Sequence, residues 1–173
     1  MNGMKHNVLA AFAAVTATAA LAGAVVSADP ARARGAGELR DLQPASVQPF
    51  DHATAQVVAV ENPDGTTTVT LKVQGIDHAA SGPERFPAHL HTGSCDAGAP
   101  GATSGHYQHH VGGEVSPANE IWLNFVVQSN GTASSQADVT FPVRPGEAKS
   151  IVIHQRPSLG APAPKLACLP IEF

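Results

Sequence analysis

The sequence predicts an all-β domain, a sandwich or barrel of short antiparallel strands. Three observations carry that expectation. No segment keeps a helical apolar period over a dozen residues. Glycine and proline are plentiful, 16 and 14 among 173 residues, enough to interrupt the chain with turns. The chain reads as short strands, and in one of them Val69, Leu71 and Val73 alternate with Thr70, Lys72 and Gln74, as in a half-buried strand.

The chain opens on "MNGMKH", a short basic start, and continues through an Ala-rich apolar run from Val8 to Val26. Val26-Ser27-Ala28 then offers small residues of the kind signal peptidases cut after. Residues 1–28 read as a secretory signal peptide, with an uncleaved membrane anchor as the alternative. No cysteine lies near the cleavage site, which argues against a bacterial-type lipid anchor. Residues 29–45, "DPARARGAGELRDLQPA", lack apolar periodicity and read as a flexible leader, with the domain spanning 46–173.

From there the elements follow in order. "AQVVAV" and "TTTVTLKVQGI" face each other across "ENPDG", whose Asp64-Gly65 supplies a hairpin turn. "FPAHLH" is a strand bearing two histidines. "EIWLNFVV" and "ASSQADVTFPV" flank "QSNG", a second hairpin signal, and "KSIVIH" and "KLACLPIEF" finish the chain. Asn130-Gly131-Thr132 also matches a glycosylation acceptor, but Asn-Gly between two strands reads first as a turn. Between His91 and Glu120 lies a long loop, and long loops in small domains are usually functional.

Composition narrows the function. Without residues 1–28, nine Lys and Arg remain against 14 Asp and Glu, a net charge of −5. A mildly acidic chain with no basic stretch argues against nucleic acid as a partner, while leaving room for a small anionic substrate that responds to local field. Two cysteines, Cys95 and Cys168, are in an exported chain most simply one disulfide, with two free thiols as the alternative. No CxxC spacing supports a cysteine-ligated metal.

The histidines carry the chemistry. His89 and His91 are two apart on a strand, so their imidazoles point to one face. His106 stands in "SGHYQHH" and His154 ends "SIVIH". Three or four imidazoles converging on strands suit copper or zinc. A pair of hydrogen-bonded histidines on a sheet face is the plainer reading of His89 and His91 taken alone.

Five segments, in order, resemble the copper/zinc superoxide dismutases: His89-Leu90-His91, Cys95, Gly105-His106-Tyr107, Val152-Ile153-His154, and Lys165-Leu166-Ala167-Cys168. The resemblance spans residues 46–173. It implies a Greek-key, immunoglobulin-like β-sandwich or barrel of about eight antiparallel strands, with a long metal-binding loop. It implies copper on His89, His91, His106 and His154, and dismutation of superoxide to oxygen and hydrogen peroxide. His106 would be the ligand that passes a proton to the reaction. Lys165 stands where the family has an Arg that guides the superoxide anion; it keeps the charge without the planar fork. The family's zinc site adds histidines and an Asp. Here no Asp lies between His106 and Glu120, and Glu114 and Glu120 are the nearby carboxylates. The segment between His154 and Lys165 is also short. The chain therefore resembles the copper-only members. His109 and His110 read as exposed loop histidines, with zinc ligation as the alternative. His52 and His78 match no site position and are expected at the surface, and Trp122 and Phe125 are expected to pack.

An exported enzyme in the periplasm or cell envelope, with superoxide as its small-molecule partner and no stable membrane insertion after signal cleavage, is the leading expectation. A non-catalytic copper-storage or delivery protein is the alternative.

Overall fold

Phe50, Val57, Leu71, Ile151, Ile153 and Leu169 belong to one buried apolar cluster between two antiparallel sheets. The computed structural model describes residues 32–77, 84–96, 102–156 and 163–172. Its strands are β1 (Arg32–Glu38), β2 (Arg40–Asp41), β3 (Thr54–Glu61), β4 (Thr67–Gln74), β5 (Arg85–Phe86), β6 (Ala88–His91), β7 (Phe125–Val126), β8 (Ala133–Val139), β9 (Ser150–His154) and β10 (Lys165–Pro170). One sheet runs β1-β3-β4-β8, the other β2-β10-β9-β6, and β5 and β7 form a small third pair. The architecture is a Greek-key β-sandwich, and among the described residues the sheets do not close into a barrel.

The first hairpin forms as its sequence indicates. In β4, Val69, Leu71 and Val73 are buried, and the strand pairs with β3 from Thr67 to Gln74. Gly65 has φ +82°, a conformation glycine adopts without strain. At the second turn Gln128 N–H donates to the Thr132 carbonyl at 2.8 Å, and Asn130 Oδ1 accepts from Thr132. The strands it joins go different ways: β8 pairs with β4, and β7 with β5. "FPAHLH" is divided into β5 and β6 at Pro87, which lacks the N–H a continuous ladder needs.

One sequence expectation is corrected. Residues 32–41, read as part of a flexible leader, form β1 and β2, one in each main sheet. Leu39, between the two strands, enters the core, and within β1 one position is sterically restricted. A Cβ on Gly35 would lie 2.5 Å from the Pro170 carbonyl oxygen and 2.7 Å from Ile171 Cγ2. At Gly35 the strand needs a residue without a side chain, because the end of the other sheet presses on its backbone there. The expected signal peptide, 1–28, and His78 lie outside the described residues. His52 is exposed.

Sheet β2-β10-β9-β6 is covered on both faces. Ile151 and Ile153 of β9 enter the main core, while Val152 packs with Cys95 and Cys168 in a second cluster. Since side chains alternate, His89 and His91 of β6 and His154 of β9 share the face of Val152, away from the core. All of β9 is consequently buried. Cys95 and Cys168 form a disulfide at a sequence separation of 73. In the chain-entropy treatment such a crosslink stabilises by up to roughly 4 kcal/mol. It fastens the long loop after His91 to the centre of β10.

Gly35→Ala should lower stability by roughly 1–3 kcal/mol, the range for overpacking a filled interior. It should appear as a lower urea midpoint at unchanged m-value; an unchanged midpoint would mean β1 does not pack against Pro170 and Ile171.

Candidate metal centre

The long loop folds back on the outer face of β6. Tyr107 N–H donates to the Leu90 carbonyl at 2.8 Å, and His106 bridges to His91. Along the same edge of β6, opposite β9, run residues 121–123, with Leu123 N–H donating to the Ala88 carbonyl at 2.7 Å. These pairings bring His89, His91, His106 and His154 together, with one potential ligand atom from each lying within 4.8 Å of the others. His91 and His154 are buried, while His89 and His106 are partly exposed, the His106 side chain by 27%, so the cluster opens to solvent on the side of these two rings.

Hydrogen bonds fix which nitrogens face inward. The His91 Nδ1–H donates to the carbonyls of Thr103 at 3.1 Å and Ser104 at 3.3 Å, which leaves Nε2 as the lone-pair nitrogen. That Nε2 lies 3.1 Å from His154 Nε2. The His106 Nδ1–H donates to Glu120 Oε2 at 2.7 Å, so in the neutral ring Nε2 is the lone-pair nitrogen. His89 Nδ1 is buried and has no hydrogen-bond partner. A buried polar atom without a partner needs an explanation, and a bound metal ion would supply one. The four-imidazole set can hold a metal, with outer hydrogen bonds orienting its rings as such bonds do in metal sites.

Three of the rings are also held neutral. Burial, then repulsion from His106 and His154, pushes His89 down to about 3. Burial, then His106, His154 and Lys165, pushes His91 to about 3. His154 falls to about 4, chiefly by burial, although its bond to the Ala163 backbone works the other way. Imidazoles with such values keep their lone pairs at neutral pH, as metal binding requires.

Glu120 is the site residue that sequence reasoning passed over. It is 1% exposed and accepts from three donors: His106 Nδ1, Trp122 Nε1 at 2.9 Å and Gln108 Nε2 at 3.0 Å. Burial alone would raise its pKa, but the bonds from Trp122, Gln108 and His106 and the attraction of the His106 ring hold it below the ordinary value. A buried carboxylate left unpaired would cost several kcal/mol, so the three donors are what make this position tenable. Trp122, expected only to pack, thus anchors Glu120 and also meets the His89 ring edge-on at 5.7 Å. Phe125 is a core residue as expected, against Phe50 and Phe86. A lone Glu ahead of an apolar run gives no hint of this role; the one cue was that Glu114 and Glu120 are the carboxylates near His106.

Lys165 sits opposite His154 at a bulge in the β9–β10 ladder and is partly buried. Its Nζ donates to the Ser104 carbonyl at 2.8 Å, the carbonyl that also accepts from His91. Its charge acts on His91 and His154. His109 and His110 are not part of the four-histidine cluster, and among the described residues no second group of three or more ligating side chains includes them. The His109 ring stacks on Phe141 at 4.4 Å, and His110 is exposed.

No protein-family model matches the chain, and no curated protein matches it. Solved structures do. The clock protein EA4 superposes with a TM-score of 0.53 at 15% identity, covering 84% of this chain and 96% of its own. A point mutant of Candida albicans superoxide dismutase 5 gives 0.51 at 16% identity, covering 84% and 93%. The Cu(II) form of the same Candida protein gives 0.50 at 19% identity, covering 83% and 92%. Near-complete coverage at such low identity establishes architecture: the chain has the superoxide dismutase-like Greek-key β-sandwich fold.

Proposed function

We propose that this protein is an exported, copper-dependent superoxide dismutase of the copper-only kind. The observation that carries the reading is the buried, partnerless Nδ1 of His89, gathered with three further imidazoles, of which His91 and His106 commit their other nitrogens outward. An all-nitrogen set of four suits copper, which binds imidazole in tetragonal or trigonal geometry. The outward nitrogen of His106 is bonded to Glu120 rather than left free for a further metal, which favours copper alone over a copper–zinc pair. The disulfide and the signal-like start of the chain support an oxidising, extracytoplasmic location, in the periplasm or cell envelope.

His89, His91, His106 and His154 would hold the ion. When bound, copper supplies the one-electron chemistry by which one superoxide is oxidised to oxygen and a second, taking up two protons, becomes hydrogen peroxide. The chain provides the rest. The His106 side chain is partly exposed, where His91 and His154 are buried, and it shares its Nδ1–H with a buried carboxylate. It is therefore placed to hold a proton near incoming substrate. Lys165, tethered to the Ser104 carbonyl, fixes one positive charge beside the cluster on an otherwise acidic protein. A fixed cation near the opening raises the local concentration of a small anion.

Purified protein should take up one copper per chain and turn over superoxide, and His89→Ala should lose most of the copper. Stoichiometric copper without turnover would favour storage or delivery; unchanged copper affinity in His89→Ala would end the ligand assignment.

Lys165→Glu should reduce turnover per copper severalfold at low ionic strength, with the deficit shrinking as salt screens the field. Lys165→Arg should match or exceed the native chain, because its fork holds an anion more firmly. Equal turnover per copper with Glu, Lys and Arg at low salt would reduce Lys165 to a structural tether.

A further inference from the structure

Arg144 lies outside the four-histidine cluster, on the segment between β8 and β9, yet four contacts bind it to the His106 loop. Its Nη1 donates to the His109 carbonyl at 2.7 Å and its Nη2 to the Gln108 carbonyl at 2.9 Å. Its guanidinium lies over the Tyr107 ring, 4.9 Å from the centroid, and its backbone N–H donates to the Tyr107 hydroxyl at 3.1 Å. Tyr107 is fully buried. A planar fork that closes on two successive carbonyls while stacking on an aromatic ring is a geometry only Arg provides.

The clamped segment faces the site on its other side. Gln108 bridges to Glu120, and His109 N–H donates to the Asn119 carbonyl at 2.8 Å. The Gln108 side chain continues inward, donating to Glu120 Oε1. Arg144 therefore grips the outside of a short backbone segment whose inside sets the carboxylate that orients His106.

We propose that Arg144 is a positioning residue for the His106–Glu120 pair, acting through the Gln108–His109 backbone; its importance for catalysis rests on the copper reading, but the positioning itself does not. Charge balance on the guanidinium comes from Glu147, whose Oε2 accepts from Nε at 2.7 Å on the solvent side. Loss of Glu147 should thus leave the clamp in place, whereas loss of the fork should loosen Glu120.

Trp122, the single tryptophan of the chain, reports on Glu120 directly, since its indole N–H is bonded to Oε2. Hydrogen exchange of that indole can be followed by NMR in the metal-free full chain, so a failure of copper binding would not disturb the result. Arg144→Gln and the milder Arg144→Lys should each speed indole exchange at least about tenfold relative to the amides of β4, while Glu147→Gln stays within about twofold of the native rate. Folded Arg144 variants with native indole exchange would overturn the proposal. So would an acceleration shared equally by the indole and the β4 amides, which would mark Arg144 as a general contributor to stability. Arg144→Lys serves as the reading variant if Arg144→Gln does not fold.

Discussion

Four imidazoles gathered within 4.8 Å, at least two of them buried, are tolerable only if no more than one is charged and their N–H groups point outward. Protonating more than one would place like charges a few ångströms apart in a region of reduced dielectric. The surrounding structure is best understood as the set of acceptors and covers that meet this condition. Two backbone carbonyls take the proton side of His91, a buried carboxylate takes that of His106, and β9 and β6 supply the rigid ladder on which three of the rings stand.

The acceptors for His91 are themselves held under constraint. Thr103 and Ser104 adopt φ of 61° and 49°, left-handed conformations that cost non-glycine residues of order 1–3 kcal/mol each. They persist because the neighbouring chain leaves no alternative. Gly93 passes so close that a Cβ on it would lie 2.4 Å from the Thr103 carbonyl carbon, and Gly93 N–H donates to the Thr103 oxygen. Ser150 Oγ donates to the Gly93 carbonyl, which ties this crossing to β9. Just beyond it, the disulfide anchors Cys95 to β10. The covalent link, the glycine crossing and the strained carbonyls form one path from the sheet to the His91 ring.

Much of this was legible in the sequence. The period-two alternation of Val69, Leu71 and Val73 specifies a half-buried strand whatever its partners, and β4 is that strand. His-Leu-His on a strand must present both imidazoles to one face, and the structure brings that pair together with His106 and His154. Cys95 and Cys168 are bonded to each other, as the simplest pairing of two cysteines suggests. What could not be read depends on contacts between distant segments. "ARGAG" carries no apolar pattern, because the requirement at Gly35 is closeness to Pro170 and Ile171, which no local signal reveals. Glu120 looks like any strand-edge carboxylate until folding sets Gln108, Trp122 and His106 around it. Trp122 has an aromatic body that suits a core, and only its partner distinguishes an anchor from a packing residue.

The shared fold of EA4 and the Candida dismutase shows that the sandwich alone decides little about activity. The ligand set decides more. X-ray absorption and pulsed electron paramagnetic resonance of the Cu(II)-loaded protein test it most directly, by counting the imidazole nitrogens on the metal. Four are expected, one of them the Nδ1 of His89, whose signal should vanish in His89→Ala. Two or fewer imidazoles, or oxygen-dominated coordination, would contradict a copper centre built on His89, His91, His106 and His154.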